Sequence, residues 1–322
     1  VGLSIPAHAA QFSDRIGAVP GTHEYIPDPR NDDVLVYLDG ELVPRAEAKV
    51  SVFDSGFALG DGIWEGLRLH NGKYAFLDKH LDRLFEGAAT LQIDIGMSRD
   101  ELTEALYRTV RENHMESGVH VRLMITRGLK HTPSQDPRVN VGPPTVVIAA
   151  EYKEASPEPR RQGIELVTSH IRRGRADVQD PKVNSHSKLN CILAMLGAIN
   201  VGADEALMLD PQGFVATCNA TNFFVVRDNE VWTSTGDYCL NGVTRAVVLE
   251  ICRDNGIVAY QKNFTLPQVY SADEAFVTGT FGGLTPVVAV DRRTIRSGAP
   301  GSLTRRLIEL YEQRVAEETA GS

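Results

Sequence analysis

Gly242-Val243-Thr244-Arg245 runs straight into Ala246-Val247-Val248-Leu249, so a glycine-bearing loop opens onto an apolar helical run. The first amides of a helix have no partner inside it, and together with the helix dipole they make a binding place for phosphate. Alone, such a loop is most often no more than a helix cap. A second loop of the same kind, Thr278-Gly279-Thr280-Phe281-Gly282-Gly283, begins at the end of the strand read at Glu274–Thr278. There, hydroxyls and a closely approaching backbone could also grip an anion. Arg83, on the helical stretch His80-Leu81-Asp82-Arg83-Leu84, adds a guanidinium whose fork suits the same ligand. An isolated helical arginine is normally solvated, so the three pieces gain weight from occurring together.

Outward from these loops the chain alternates strand and helix patterns without a fixed-period repeat or low-complexity tract. Residues 1–32 carry Pro, Gly and Asp without periodicity and read as an extended arm that packs on the body or on a partner subunit. From Val34, apolar and polar residues alternate, with Asp39-Gly40 and Asn71-Gly72 at the turns of two hairpins, because both dipeptides tolerate positive φ. Helices are expected at Leu77–Leu91 and after Ser98-Arg99-Asp100-Glu101, whose spacing is that of a capping box. Strands follow at Val119–Thr126 and Thr145–Ala150, and the charged, proline-bearing stretch 151–162 marks a boundary. Beyond it, short strands at Ile164–Ser169, Glu205–Leu209, Phe223–Val226, Val258–Tyr260 and Glu274–Thr278 mix with helices near Leu189–Asn200, Arg245–Asn255 and Leu303–Glu317. The expected organisation is α+β: an arm at 1–32, a small domain at 33–152, a linker at 153–162 and a larger domain at 163–322.

A chain of 322 residues is long for one core, which fits two domains sharing a cleft. With 42 % hydrophobic and 23 % charged residues the composition is that of an ordinary globular protein. A formal charge of −9 argues against a nucleic-acid groove and for a small-molecule partner. No stretch approaches the roughly 20 apolar residues needed to span a bilayer, and Val1–Gln11 has no signal-peptide pattern, so no membrane role and a cytoplasmic location are expected. Cys191, Cys218, Cys239 and Cys252 show no CxxC spacing and no histidine cluster, so no metal site is expected.

Together the motifs resemble the class IV aminotransferases of fold type IV, the family of branched-chain and D-amino acid aminotransferases. Besides the phosphate loops, the resemblance rests on Phe53-Asp54-Ser55-Gly56-Phe57, on Gly60-Asp61-Gly62-Ile63-Trp64-Glu65-Gly66, on Gly202-Ala203-Asp204-Glu205-Ala206-Leu207 and on Thr285-Pro286-Val287, all in the family's order. It covers about Val36 to Tyr311. It implies a two-domain, D-amino acid aminotransferase-like subunit, a homodimer, and pyridoxal 5'-phosphate (PLP) between the domains. The phosphate would be held by Arg83, the Val243 and Thr244 amides, and Thr280. The implied activity is transfer of an amino group between a small amine or amino acid and a keto acid. A PLP-dependent lyase or racemase, or a PLP-binding protein without turnover, are the alternatives.

The family's Schiff-base lysine stands ahead of a segment that reads here Ser185-His186-Ser187-Lys188-Leu189-Asn190-Cys191-Ile192-Leu193-Ala194, and the register places Asn184 at its position. An amide cannot condense with an aldehyde, so another amine is needed. Lys188 is the expected substitute, because four residues at a helix entry span about one turn and share a face. Lys182, two residues before Asn184 on a strand-like stretch, is the alternative. Where the family commonly has a glutamate facing the pyridine nitrogen, this chain has Thr217, a hydroxyl that supplies no negative charge. That change would weaken the electron sink and alter rate or reaction choice. Trp64, Arg68, Arg122 and Arg127 are the candidate substrate-binding residues, each as readily structural.

Overall fold

The computed structural model describes residues 21–320 and contains two large β-sheets. The strand β1 (Tyr25–Ile26) leads into β2 (Leu35–Leu38) and β3 (Glu41–Pro44), then α1 (Ser55–Leu59), β4 (Gly62–His70), β5 (Lys73–Tyr74), α2 (Leu77–Leu91), α3 (Arg99–Glu112), β6 (Val119–Thr126) and β7 (Thr145–Tyr152). The first sheet is antiparallel and six-stranded, in the order β3-β2-β7-β6-β4-β5. Its hairpins turn at Asp39-Gly40 and Asn71-Gly72, where all four residues have positive φ, as a two-residue turn with matching twist requires. Helices α2 and α3 cover one face, sealing Leu81, Leu84, Leu102 and Leu106 against Leu67, Leu123 and Ile148. Ser98 and Glu101 form the expected reciprocal cap of α3.

The stretch around the boundary is more ordered than its composition suggests. β8 (Glu154–Ala155) pairs with β1, and α4 (Glu158–Gln162) leads into β9 (Ile164–Thr168). Then come α5 (Ala176–Gln179), α6 (Leu189–Asn200), β10 (Glu205–Leu209), β11 (Val215–Cys218), β12 (Asn222–Arg227), β13 (Glu230–Thr233), α7 (Val243–Asp254), β14 (Ala259–Gln261), α8 (Leu266–Tyr270), β15 (Glu274–Gly279), β16 (Gly283–Val290), β17 (Arg293–Thr294) and α9 (Ser302–Glu318). The nine-stranded sheet runs β11-β10-β9-β16-β15-β12-β13-β14, with β17 beside β16.

Strand alternation places Phe223 and Val225 on one face of this sheet and Phe224 and Val226 on the other. The second face receives α7 and α9, with Phe224 and Phe276 stacked at 4.8 Å beneath Val247, Ile251 and Leu307. Burying each such ring is worth about 1.5–3 kcal/mol. β16 is not among the strands expected, and it contains Pro286. β9 first pairs with β16 at Val287, so the proline stands where that side of the strand has no partner to miss its N–H. Of the N-terminal arm, residues 1–20 lie outside the described residues; 21–26 run from the large sheet to β8. Among the described residues no helix is long and apolar enough to cross a membrane.

Candidate functional site

The cleft between the two sheets is shaped first by β4. Ile63, Glu65, Leu67 and Leu69 are buried, while Trp64 and Arg68 on the opposite face are only half-buried. A carboxylate in the middle of an apolar strand needs partners. Glu65 finds them on α2, where His80 and Arg83, three residues apart, face the strand: His80 Nδ1 lies 2.7 Å from Oε2, and Arg83 Nε and Nη2 donate at 2.8 and 2.6 Å. Burial opposes the charge on Glu65, but Arg83 and His80 hold its carboxyl below the usual range. Arg83 Nη1 donates to the Asn241 carbonyl at 3.1 Å, at the foot of the Gly242 turn. Of its five N–H groups two remain for a ligand.

The edge of β4 that has no strand neighbour at its start binds the segment ahead of α6. Trp64 N–H donates to the Asn184 carbonyl at 3.0 Å, Asn184 Nδ2 donates to the Trp64 carbonyl at 2.6 Å, and Trp64 Nε1 donates to the Ser185 carbonyl at 3.1 Å. These bonds fix Asn184 in the cleft, buried, with its Oδ1 lacking a protein partner. Opposite stand Thr221, Asn222, Thr244 and Thr280. Helix α7 starts at Gly242 without a side-chain cap, leaving its first amides uncapped at the cleft. A Cβ on Gly242 would meet Asn222 Oδ1 at 2.3 Å, and one on Gly282 would meet the Thr22 carbonyl at 3.0 Å, so both loops come as close as glycine permits. Arg83, Val243, Thr244 and Thr280, expected to act together, all line this one cleft. A larger cavity of about 580 Å³ adjoins it through Thr244, Thr280 and Phe281 and reaches Arg68 and Tyr311.

Trp64 and Arg122 line the cleft, with the Arg122 guanidinium 3.8 Å from the Trp64 ring centre. Arg68 faces the adjoining cavity and donates to the Lys153 carbonyl; burial lowers its pKa to about 10. Arg127, the fourth candidate, is paired within the chain. It bonds both oxygens of Asp61 at 2.7 and 3.0 Å and the Leu91 and Gln92 carbonyls that end α2, and it is not among the residues that line the cleft. The Thr217 hydroxyl donates to the Thr221 carbonyl at 2.7 Å and accepts from Asn222 Nδ2 at 3.3 Å, so its own hydrogen is committed; Thr221 and Asn222 line the cleft in its place.

The one-turn relation expected between Asn184 and Lys188 is not present. Residues 184–186 are held extended against β4, and α6 begins only at Leu189. Lys188 therefore lines a neighbouring cavity with Arg173, Ser185 and Ser187, its Nζ 5.8 Å from the Trp64 ring centre. Burial lowers its pKa to about 8, and it still feels the charges of Arg83 and Glu65. Lys182 is exposed and lies 3.9 Å from Asp237. Sequence reasoning assigns no role to Glu65, His23, His120 or Lys153. Glu65 carries a signal, an acidic residue inside an apolar strand. The other three reach the cleft only through tertiary packing.

The family description "Amino-transferase class IV" matches residues 62–290. Branched-chain-amino-acid aminotransferase-like protein 2 of Arabidopsis thaliana is 41 % identical over 89 % of this chain, which spans 51 % of that protein; the chain covers about half of a second plant relative as well. The putative branched-chain-amino-acid aminotransferase of Methanocaldococcus jannaschii is 36 % identical over 86 % of this chain and 95 % of its own length. Among solved structures, a T.th. branched-chain amino acid aminotransferase with pyridoxamine 5'-phosphate superposes with a TM-score of 0.83 at 33 % identity, covering 89 % of this chain and 95 % of that one. With the family matched over most of its length and the fold shared with such an enzyme, the chain belongs to the class IV aminotransferases.

Proposed function

We propose that this chain binds PLP in the cleft between its sheets and moves an amino group between an amino acid and a keto acid. The observation that carries the reading is the convergence of Arg83, the uncapped start of α7 and Thr280 on one cleft that also holds Asn184. Arg83 and the first amides of α7 would take the phosphate, and the unpartnered Asn184 Oδ1 would accept from a donor on the ring or the substrate. The bound cofactor supplies an aldehyde and an electron sink. Lys188 is the amine for that aldehyde: it is half-buried, its pKa is depressed to about 8, and it lies against the Trp64 that walls the cleft. The family resemblance puts Asn184 at the position of the Schiff-base lysine, and in this proposal that task passes to Lys188. Arg122 and Trp64 would meet the substrate.

The same reading includes a homodimer. Helix α6 buries only Ala194 and Ala198 against the large sheet and exposes Leu189, Ile192, Leu193, Leu196 and Ile199. The segment 52–59 exposes Val52, Phe53, Phe57 and Leu59. So much unpaired apolar surface beside the site suits a second copy. Four free thiols among the described residues suit a reducing, cytoplasmic setting. The divisions 33–152, 153–162 and 163–322 remain the domain assignment that goes with two sheets.

Borohydride reduction of PLP-loaded protein followed by peptide mapping tests the reading. A pyridoxyl group on Lys188 is expected. A protein that takes up no PLP overturns it. PLP taken up reversibly, with no lysine labelled and no reaction with any amine, would favour a binding protein without turnover, a reading that Asn184 supports.

A further inference from the structure

We infer that Glu205 is a positioning residue of the cleft: its one buried carboxyl ties Thr22 of the N-terminal segment to Thr221 of the loop between β11 and β12, and so sets residues 21–24 as a wall over whatever the cleft holds. The inference rests on the cleft being the binding site of the reading above, and adds a part of the chain to it. β10 is buried along its whole length, and Glu205 opens it. Among the described residues no lysine, arginine or histidine lies within ion-pair distance of this enclosed carboxyl. Two hydroxyls answer it instead: Thr22 Oγ1 donates to Oε1, and Thr221 Oγ1 donates to Oε2 at 2.7 Å. Burial raises the pKa of the carboxyl, against the pull of both hydroxyls. A buried acid without a cation is destabilising, so an apolar side chain would fill this place in the sheet with less penalty. What the acid adds is the tie, and the residues at both of its ends line the cleft.

The two ends of the tie are supported unequally. The loop that carries Thr221 is seated on β10 beside Glu205, where Asn219 N–H donates to the Ala206 carbonyl at 3.0 Å and Asn219 Oδ1 accepts from the Ala206 N–H at 2.8 Å. Residues 21–24 form a short strap: Glu24 N–H donates to the Gly21 carbonyl at 3.1 Å, and the Glu24 carbonyl accepts from Ser156 N–H at 2.9 Å. Between these points the Thr22 carbonyl stands against Gly282, and the His23 ring stacks on Phe281 at 6.2 Å with its Nδ1 3.1 Å from Thr22 Oγ1. Among the described residues neither Thr22 nor His23 makes a backbone–backbone hydrogen bond. The part of the strap that lines the cleft is thus held by side chains, and Glu205 is the group that fastens it to the large sheet.

The test follows amide hydrogen exchange of residues 22–26 in the full chain, with and without PLP. Thr22→Val keeps the shape and removes the hydroxyl; it should speed exchange there about fivefold or more, near the worth of one hydrogen bond, and Thr22→Ser should restore the wild-type rate. Thr221→Val, whose lost hydroxyl is bonded to the carboxyl and not to the strap, should speed exchange at the same amides. Bound PLP should slow them in the wild type, and stopped-flow fluorescence should show PLP leaving Thr22→Val about fivefold faster while its entry rate changes little. Strap amides unchanged in either valine variant overturn the tie, and PLP release unchanged in a loosened strap overturns the wall. A wild-type chain that takes up no PLP counts against the cofactor reading instead. In that case exchange in the free Thr221→Val chain decides the inference: a loosened strap supports it, and an unaffected one refutes it.

Discussion

Glu65 and Arg83 face each other as a two-pronged pair, Nε to Oε1 at 2.8 Å and Nη2 to Oε2 at 2.6 Å, with the carboxylate fully buried. The carboxylate aims the guanidinium at the Asn241 carbonyl and the start of α7, so in the proposed reading it would act on the phosphate site through Arg83. Removing one member of a buried pair strands the other, at about 3–5 kcal/mol. Glu65→Ala should lose about that much in urea unfolding and also weaken PLP binding, whereas Glu65→Gln, which keeps an acceptor, should lose less of both. A destabilised Glu65→Ala with unchanged PLP affinity would show that Arg83 needs no such support.

Lys188 gives a pH signature. Burial sets its folded pKa at about 8 against 10.5 for a free lysine. The neutral amine is the form that reacts, so the rate at which borohydride traps PLP on the protein should rise through about pH 8 and then level. Lys188→Ala should abolish the trapping and Lys182→Ala should not. Stability follows the same group with a definite sign: between about pH 8 and 10.5 the unfolded chain holds a proton that the folded chain has released, so stability rises with pH in that window. In Lys188→Met that rise should shrink.

What the sequence reveals, and what it hides, follows from the range of the interactions. The boundaries of α2 and α6 and both hairpin turns are readable because apolar spacing, caps and turn dipeptides act within a few residues. The clustering of Arg83, Val243, Thr244 and Thr280 is readable only through the family resemblance. The placement of Lys188 is not readable, since hydrogen bonds between Asn184 and Trp64, 120 positions apart, keep the segment extended where local reasoning expects a helical turn. Arg127 shows a similar limit: its partner Asp61 lies 66 positions away, and a sequence shows an arginine without showing which groups it already bonds.

The exposed face of α6 predicts its own test. Leu189 is 67 % exposed, Ile192 54 % and Leu196 48 %, all on a helix that meets its own sheet through Ala194, Met195 and Ala198. Light scattering on the wild-type protein should give twice the chain mass. Leu196→Asp should shift it to the chain mass without unfolding, because the residue leaves no cavity in the subunit core. A wild-type monomer that binds PLP would remove the dimer from the proposal.

Gly242 offers the strictest probe of the phosphate site. Its φ of −63° and ψ of 141° suit any residue, so alanine there meets no backbone strain. The obstacle is steric: the new Cβ would sit 2.3 Å from Asn222 Oδ1. Asn222 is itself tied to the Leu240 carbonyl at 2.9 Å, and moving it costs about 1 kcal/mol while loosening the turn that presents the Val243 and Thr244 amides. The same turn carries the Asn241 carbonyl that receives Arg83, so two phosphate anchors shift together. Gly242→Ala should therefore weaken PLP about tenfold or more, roughly 1.4 kcal/mol or above, in a fluorescence titration. Gly197→Ala, in α6 with open space around its Cβ, serves as the control. It should hold PLP as the wild type does and gain about 0.5–1 kcal/mol from the better helix former. An affinity within twofold of wild type in Gly242→Ala would mean that the phosphate does not sit at the start of α7.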